Sequence, residues 1–385
     1  MPWKVSDVME ERMKFVVRLM SGERMSDLCR EFGISRTTGH KFQKRYEEYG
    51  PEGLCDQPRR PERVPNRTSE EIRQLIVDLR RERPTWGPKK LKNELERRHS
   101  GVCIPAASTI GELLNREGLV KRRKRRRRRE ATYSTERLES NAPNDVWCAD
   151  FKGEFRLRNQ RYCYPLTISD HFSRFLLGCE SLESTKGCGA KVVFEETFRQ
   201  YGLPGVIRTD NGSPFASTGL LGLTRLSVWW LRLGIELEHI EPGHPEQNGR
   251  HERLHLTLKQ EATRPAAANH LQQQECFDRF QEQYNDQRPH EALGMKRPAE
   301  VYRVSMRSYP ETLPEPEYPL HDDTRVVHEC GHVRLWKRNQ SCYLSSALAG
   351  QRVGLREEEG GRWLISFLHI DLGCYDVGRG RFEGN

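Results

Sequence analysis

The sequence predicts a multidomain α+β protein: helical units at the N-terminal side, an α/β core in the middle and a small all-β unit at the end. Three observations carry this. Apolar residues recur at helical spacing through residues 5–120; between 141 and 300 three strand-like runs precede alternating helices and strands; beyond Tyr318 the pattern becomes short strands separated by turns.

Residues 5–50 read as three helices. Val8, Met13, Val16, Val17 and Met20 form one stripe, Met25 to Phe32 a second helix, and Gly33 a tight turn. Ser35 then caps a helix running to about Tyr49, with Phe42 and Tyr46 facing inward. A short helix, a glycine turn and a second helix opened by Ser-Arg-Thr-Thr is a helix-turn-helix pattern. It would offer Arg36, Thr37, His40 and Lys41 to a DNA major groove. Residues 1–60 are therefore the first expected domain. Pro51, Pro58, Pro61 and Pro65 give the next stretch a linker composition. Within 61–120, Thr68 or Ser69 caps a helix with Ile72, Leu75, Ile76 and Leu79 on one face. Trp86-Gly87-Pro88 turns the chain, Leu91 and Leu95 continue it, and Ser108 to Arg116 closes a second helix-turn-helix or winged-helix-like unit.

Lys121 to Arg129 are nine consecutive basic residues, which no packed element buries. Residues 121–140 are read as a basic arm whose Lys121, Arg122, Arg123, Lys124, Arg125 and Arg126 meet phosphates or a minor groove. The net charge of +9 is concentrated accordingly: +2 in residues 1–60, +11 in 61–130 and −4 in the remainder. Such a distribution suits a partner that is polyanionic and gripped by the first third of the chain.

In residues 141–305, Val146 to Phe155, Arg161 to Asp170 and Phe175 to Leu182 read as strands. Ala190 to Tyr201 is an amphipathic helix, Val206 to Thr209 a buried strand, Ser227 to Leu233 a helix, Ile235 to Ile240 a strand, and Gly249 opens a long helix. Residues 320–385 are expected to form a small β-barrel or sandwich, with Pro310, Pro314, Pro316 and Pro319 at the boundary. The eleven cysteines contain no C-x-x-C pair, so Cys148, Cys163 and Cys179 read as reduced, partly buried thiols, and His328, Cys330 and His332 as plain strand residues. No apolar run reaches the length of a membrane span and the N-terminus is not a secretory signal, which predicts a cytoplasmic, prokaryotic, nucleoid-associated protein without membrane contacts.

Three carboxylates carry the chemistry. Asp150 stands in Trp147-Cys148-Ala149-Asp150-Phe151, Asp210 in Thr209-Asp210-Asn211-Gly212, and Glu252 in Gly249-Arg250-His251-Glu252-Arg253. Acidic groups far apart in sequence, each on its own mount, are what a two-metal phosphoryl-transfer site needs, because two Mg²⁺ ions about 3.5–4 Å apart require flanking and bridging oxygen ligands. Asp150 lies on a strand with Trp147 and Phe151 about it, and Asp210 ends a second strand before a sharp turn. Two glutamates compete for the third place. Glu246 has the spacing of thirty-five intervening residues after Asp210, but sits in a loop of Pro and Gly; Glu252 leaves forty-one, and lies just inside a helix. Local chemistry selects Glu252, with the surplus residues assigned to a longer loop at Phe215–Leu226.

These segments resemble the integrase core shared by retroviral integrases and bacterial insertion-sequence transposases of the DDE type, whose core has an RNase H-like fold. Pro245, Gly249, Glu252 and Lys259 match the family's last motif residue by residue. The resemblance implies Mg²⁺ (or Mn²⁺), two ions per site, held by Asp150, Asp210 and Glu252, with Lys259 meeting substrate phosphate and His255 touching DNA on the same face. Asp170 matches a turn of the family. It implies cleavage at the element end, freeing a 3′-hydroxyl that then attacks target DNA. Partners would be double-stranded DNA (terminal repeats and target) and further copies of the chain, as a dimer or tetramer. No Walker-type loop is present, in keeping with chemistry that uses no nucleotide. The rival readings are a DNA-binding transcription regulator, which leaves the carboxylates unexplained, and a nuclease that cuts without joining.

Overall fold

The structure is a computed structural model that describes residues 8–56, 68–120, 140–241, 249–335 and 340–384. The basic run Lys121–Arg129 and Glu246 lie outside them. The chain divides into two compact units, Met1–Thr68 and Ser69–Asn385.

In the first unit, α1 (Val8–Met20), α2 (Met25–Glu31) and α3 (Arg36–Tyr49) enclose Phe15, Val16, Leu28, Cys29, Phe42 and Leu54. Gly33 supplies the left-handed turn (φ 63°) between α2 and α3. The Ser35 hydroxyl accepts the Thr38 N–H at 3.1 Å, which is the cap its sequence position predicts. A 3₁₀ turn at Gly50–Leu54 folds back onto α3, so closely that a Cβ on Gly53 would overlap the Arg45 carbonyl. Gly53→Ala is expected to lower the stability of this unit by about 1–3 kcal/mol, because backbone rather than a flexible side-chain tip must move. Denaturant melts of the full chain would test this, and an unchanged first transition would refute the packing argument.

The second unit begins with α4 (Glu70–Glu82), α5 (Pro88–Arg98) and α6 (Ala107–Arg116) around Ile76, Leu79, Trp86, Leu91, Leu95, Ile110 and Leu114. Ion pairs tie these helices to later segments: Arg97 to Glu300 at 2.7 Å, Arg297 to Glu94 at 2.9 Å and Lys89 to Glu291 at 2.9 Å.

The central sheet contains β1 (Val146–Phe151), β2 (Phe155–Arg156), β3 (Tyr162–Asp170), β4 (Leu176–Leu182), β5 (Val206–Thr209) and β6 (Glu236–His239). β1 pairs antiparallel with β3, and β3 with β2 and β4, whereas β5 is parallel to β1 and β6 to β5. Helices α7 (Gly187–Tyr201) and α8 (Arg225–Arg232) cover one face through Phe194, Phe198, Trp229 and Trp230, packed on Trp147, Ala149, Leu166 and Ile168. Helices α9 (Gly249–Glu261) and α10 (His270–Glu282) cover the other through Leu254, Leu258, Phe277 and Phe280. The long helix expected from Gly249 thus ends at Glu261. Pro265 follows shortly, and proline cannot continue a helical ladder.

The outer edge of β4 is closed by side-chain amides. Asn285 donates to the Leu176 carbonyl at 2.9 Å and accepts the Leu176 N–H at 2.8 Å, while Gln274 bonds the Cys179 carbonyl and the Ser181 N–H at 3.0 and 2.8 Å. An edge whose polar groups are already bonded cannot template further strands.

After a short α11 (Pro298–Val301), seven strands follow: β7 (Asp323–Val326), β8 (His332–Arg334), β9 (Ser341–Tyr343), β10 (Arg352–Glu358), β11 (Arg362–Phe367), β12 (Ile370–Asp376) and β13 (Arg381–Gly384). They form an antiparallel sheet in the order β13-β12-β11-β10-β7 and a separate hairpin β8-β9. The β character is as expected, but the five-stranded sheet does not close into a barrel: among the described residues β13 and β7 remain its two ends. Its apolar face packs on Leu223, Val228 and Leu231 of the α8 region, so helix packing replaces closure. That explains why α8 is buried nearly all round.

Candidate active site

Strand alternation decides where Asp150 points. Trp147 and Ala149 enter the core under α7 and α8, so Asp150 faces the α9 side. The same period sends Leu166 and Ile168 of β3 to the first face and Thr167 and Ser169 to the second, and Thr167 is the register partner of Asp150. Helix α9 lies over this face. Its buried stripe includes His251, Leu254, Thr257 and Leu258, and leaves Glu252 and Lys259 exposed on another side. Asp210 follows β5, parallel to β1, and its carboxylate accepts the Gly212 N–H at 3.1 Å. Asn211 fixes the turn by donating to the Ile240 carbonyl at 2.5 Å.

Asp210 and Glu252 each act electrostatically on Asp150. Burial, then the negative fields of Asp210 and, more weakly, Glu252, push the Asp150 carboxyl up to about 7; the Phe151 N–H partly offsets this. A carboxylate that resists ionisation beside two others marks a place short of positive charge.

Beneath it lies a network that sequence reading missed. The Thr167 hydroxyl donates to the Asp150 carbonyl at 3.1 Å, and lies 2.7 Å from His251 Nε2 and 2.8 Å from His255 Nε2. Ser169 Oγ meets His251 Nδ1 at 3.1 Å. Burial lowers the pKa of His251 to about 4, and burial together with the charges of His251 and Lys152 lowers His255 further, so both rings are neutral. With the single Thr167 proton on the Asp150 carbonyl, both Nε2 atoms donate to Thr167. The His255 Nδ1 lone pair then faces Asp150 Oδ2 at 3.9 Å. That separation is too long for a direct hydrogen bond. Asp150, His251 and His255 bring ligand atoms within 4.8 Å of one another. An oxygen-rich site with this deficit of positive charge fits a divalent cation. His255, expected to touch DNA beside Glu252, is instead turned inward: at i+3 it falls toward Thr167.

Lys259 is exposed seven residues after Glu252. Its charge reaches Lys152, whose pKa is lowered by burial first and then by Lys259 and Arg264, so these three cations lie within electrostatic reach of Lys152. Asp170 serves its turn, accepting the Ser173 N–H at 2.7 Å and the Asn144 N–H at 2.8 Å. In the first unit, Arg36, Thr37, His40 and Lys41 all lie exposed on α3, opposite buried Gly39 and Phe42. Lys121, Arg122, Arg123, Lys124, Arg125 and Arg126 fall outside the described residues. His328, Cys330 and His332 do not form a metal-type cluster among the described residues, and all eleven cysteines are free.

Residues 140–245 and 233–298 match integrase core domain families, residues 11–62 a helix-turn-helix domain and residues 38–114 a homeodomain-like domain. The insertion element IS407 uncharacterized 31.7 kDa protein of Burkholderia multivorans is 27% identical over 273 residues, covering 71% of this chain and 88% of that protein. The insertion element IS476 uncharacterized 39.2 kDa protein of Xanthomonas euvesicatoria is 26% identical over 238 residues, 62% of this chain and 66% of that protein. The solved HTLV-2 integrase catalytic core domain in complex with magnesium covers 43% of this chain at 15% identity and a TM-score of 0.35. The central segment is an integrase core domain. The chain is thus similar to proteins of bacterial insertion elements, and it carries matches to both integrase core and helix-turn-helix domains. No helix among the described residues is long and apolar enough to cross a membrane.

Proposed function

We propose that the chain cleaves the 3′ ends of its own element and joins them to target DNA, with Asp150, Asp210 and Glu252 holding two Mg²⁺ (or Mn²⁺) ions. The observation that supports the reading is that Asp210, after β5, and Glu252, on α9, both act electrostatically on the buried Asp150 of β1. Bound divalent ions would supply Lewis acidity for the attacking and leaving oxygens of a phosphodiester. The rest falls to the chain. Thr167, His251 and His255 fix the α9 face against β1 and hold Asp150 in place. Lys259, Lys152 and Arg264 offset phosphate charge beside the site. The α3 face with Arg36, Thr37, His40 and Lys41 reads the element end, and the basic run Lys121–Arg129 adds affinity independent of sequence. Because two ends must be joined together, the working form is a homo-oligomer on DNA.

The test is a joining assay with the full chain, Mg²⁺ and duplexes carrying the inverted repeats that border its gene, supplied with a pre-cut 3′-hydroxyl. Joined products are expected, and chelation should remove them. Cut but unjoined DNA would select the nuclease reading, and specific binding without any strand breakage would select the regulator.

A further inference from the structure

An open cleft of about 510 Å³ lies where α5 meets α9 and the segment after α10. Lys90, Arg174, Arg250, Arg253 and Arg288 line it, against one carboxylate, Glu291. Nearby acidic groups are already engaged: Glu291 pairs with Lys89 at 2.9 Å and Glu261 with Arg288 at 2.6 Å. Among the described residues Arg250 reaches the His171 carbonyl, at 3.4 Å. The side chains of Lys90, Arg174 and Arg253 make no hydrogen bond or ion pair among the described residues.

Gathering like charges without partners destabilises a fold, and the cations register it. Burial and then Arg288 pull Lys90 down to about 7, and burial and then Arg250 pull Arg174 down to about 10. Surface arrangements of this kind persist where an anion completes them. The helical period also matters. Arg250, Arg253, Thr257 and Gln260 follow at i, i+3, i+7 and i+10, one stripe of α9, while Glu252 and Lys259 lie more than a third of a turn away, across exposed Leu256. A strand lying across the outer surface of α9 would meet both.

We propose that this cleft is a backbone-phosphate site for DNA, in which Lys90, Arg174, Arg250 and Arg253 hold one or two phosphates of the strand that crosses α9. The assignment rests on the transposase reading and deepens it. Lys90 comes from the N-terminal helices of the second unit and the arginines from the core, so an occupied site ties DNA held by α4–α6 to the helix that carries Glu252. The open shape favours a continuous backbone over a free phosphate or nucleotide, and of the two rings in the lining Tyr284 is buried and His290 packs edge-on against it.

The experiment measures binding of a fluorescent element-end duplex by the full chain between about 50 and 200 mM salt. Lys90→Gln with Arg174→Gln should flatten the slope of log affinity against log salt by about 1–2, one counterion released per lost phosphate contact. Without DNA the same variant should melt at or above the wild-type temperature, because repulsion is relieved; that separates lost binding from lost fold. Arg199→Gln, which removes one exposed charge paired with Glu195 on α7, should leave the slope unchanged. A wild-type slope in the double variant, or an equal flattening by Arg199→Gln, overturns the site. Inorganic pyrophosphate that raises the melting temperature of the wild type but not of the variant, with DNA slopes equal, would assign the cleft to a small anion and overturn the DNA assignment. Failure of the wild type to bind any duplex would overturn the transposase reading itself, whereas wild-type binding with an unaltered variant slope overturns this site alone.

Discussion

Asp150→Asn is expected to abolish cleavage and joining in Mg²⁺ while making the metal-free protein more stable at pH 8. Both effects have one cause. The carboxyl titrates near 3.9 in an unfolded chain and is pushed up to about 7 in the fold, by burial and then by Asp210 and Glu252. The folded state therefore binds the proton more tightly than the unfolded state. The stability this contributes is complete below about pH 4 and is lost as pH rises to about 7, an amount on the order of 2–4 kcal/mol. A divalent cation restores it by taking the proton's place, so metal affinity should rise with pH across the same window. Asparagine keeps the shape and cannot ionise, and the Thr167 bond to the residue 150 carbonyl survives because it is made to backbone. Melting curves at pH 5 and pH 8, with and without Mg²⁺, should show a wild type that loses stability at pH 8 and regains it with metal, and a variant with a smaller loss between the two pH values and no response to metal. Asp210→Asn should share the loss of activity. A metal-dependent rise in melting temperature for Asp150→Asn, or normal cleavage by it, would falsify the ligand assignment.

The parts of this site that were legible in the sequence are those fixed by local rules. Alternation placed Asp150 on a strand, β5 runs from Val206 to Thr209 as its apolar run implies, and Ser35 caps α3 because its hydroxyl precedes a helical stripe. What escaped depends on distant partners. Gln274 and Asn285 look like solvent-facing polar residues until β4 supplies a backbone edge for their amides. Strand β12 is broken as a pattern by Gly373, held at φ 145° where a Cβ would crowd the β13 backbone. Of the small β-barrel or sandwich expected at the end, the barrel's closure is absent: the five-stranded sheet stays open, since nothing local announces that α8 and the β8-β9 hairpin will share its apolar core. His251 and His255 did carry a signal: a pair at i, i+4 on the apolar side of a helix, with Leu254 and Leu258, should be satisfied by buried hydroxyls. Thr167 and Ser169, alternating with Leu166 and Ile168, were those hydroxyls, but only the register of β3 on β1 brings them together.

Glu252→Gln is expected to eliminate joining of a pre-cut 3′-hydroxyl end, and Glu246→Gln to leave substantial activity. The two residues compete because spacing from Asp210 favours one and local chemistry the other. Glu252 stands on α9, a helix anchored by buried His251, Leu254, Thr257 and Leu258, and its charge is felt at Asp150. A carboxylate on a rigid mount beside two others is what metal geometry requires. Glu246 lies between Pro245 and Gly249, in a segment whose composition argues against a regular mount and which falls outside the described residues. Glutamine at 252 keeps the size and hydrogen-bonding shape of the residue and removes one negative ligand, which should weaken metal binding as well as chemistry. The two readouts separate ligand from bystander: Glu252→Gln should lose both the joining reaction and part of the Mg²⁺-dependent melting shift, and Glu246→Gln should retain the shift. Because Glu252 is exposed and belongs to no apolar stripe, both variants should melt with the wild type in the absence of metal. An active Glu252→Gln beside an inactive Glu246→Gln would transfer the third ligand to the loop and make the spacing rule, rather than the helix, the better guide to this active site.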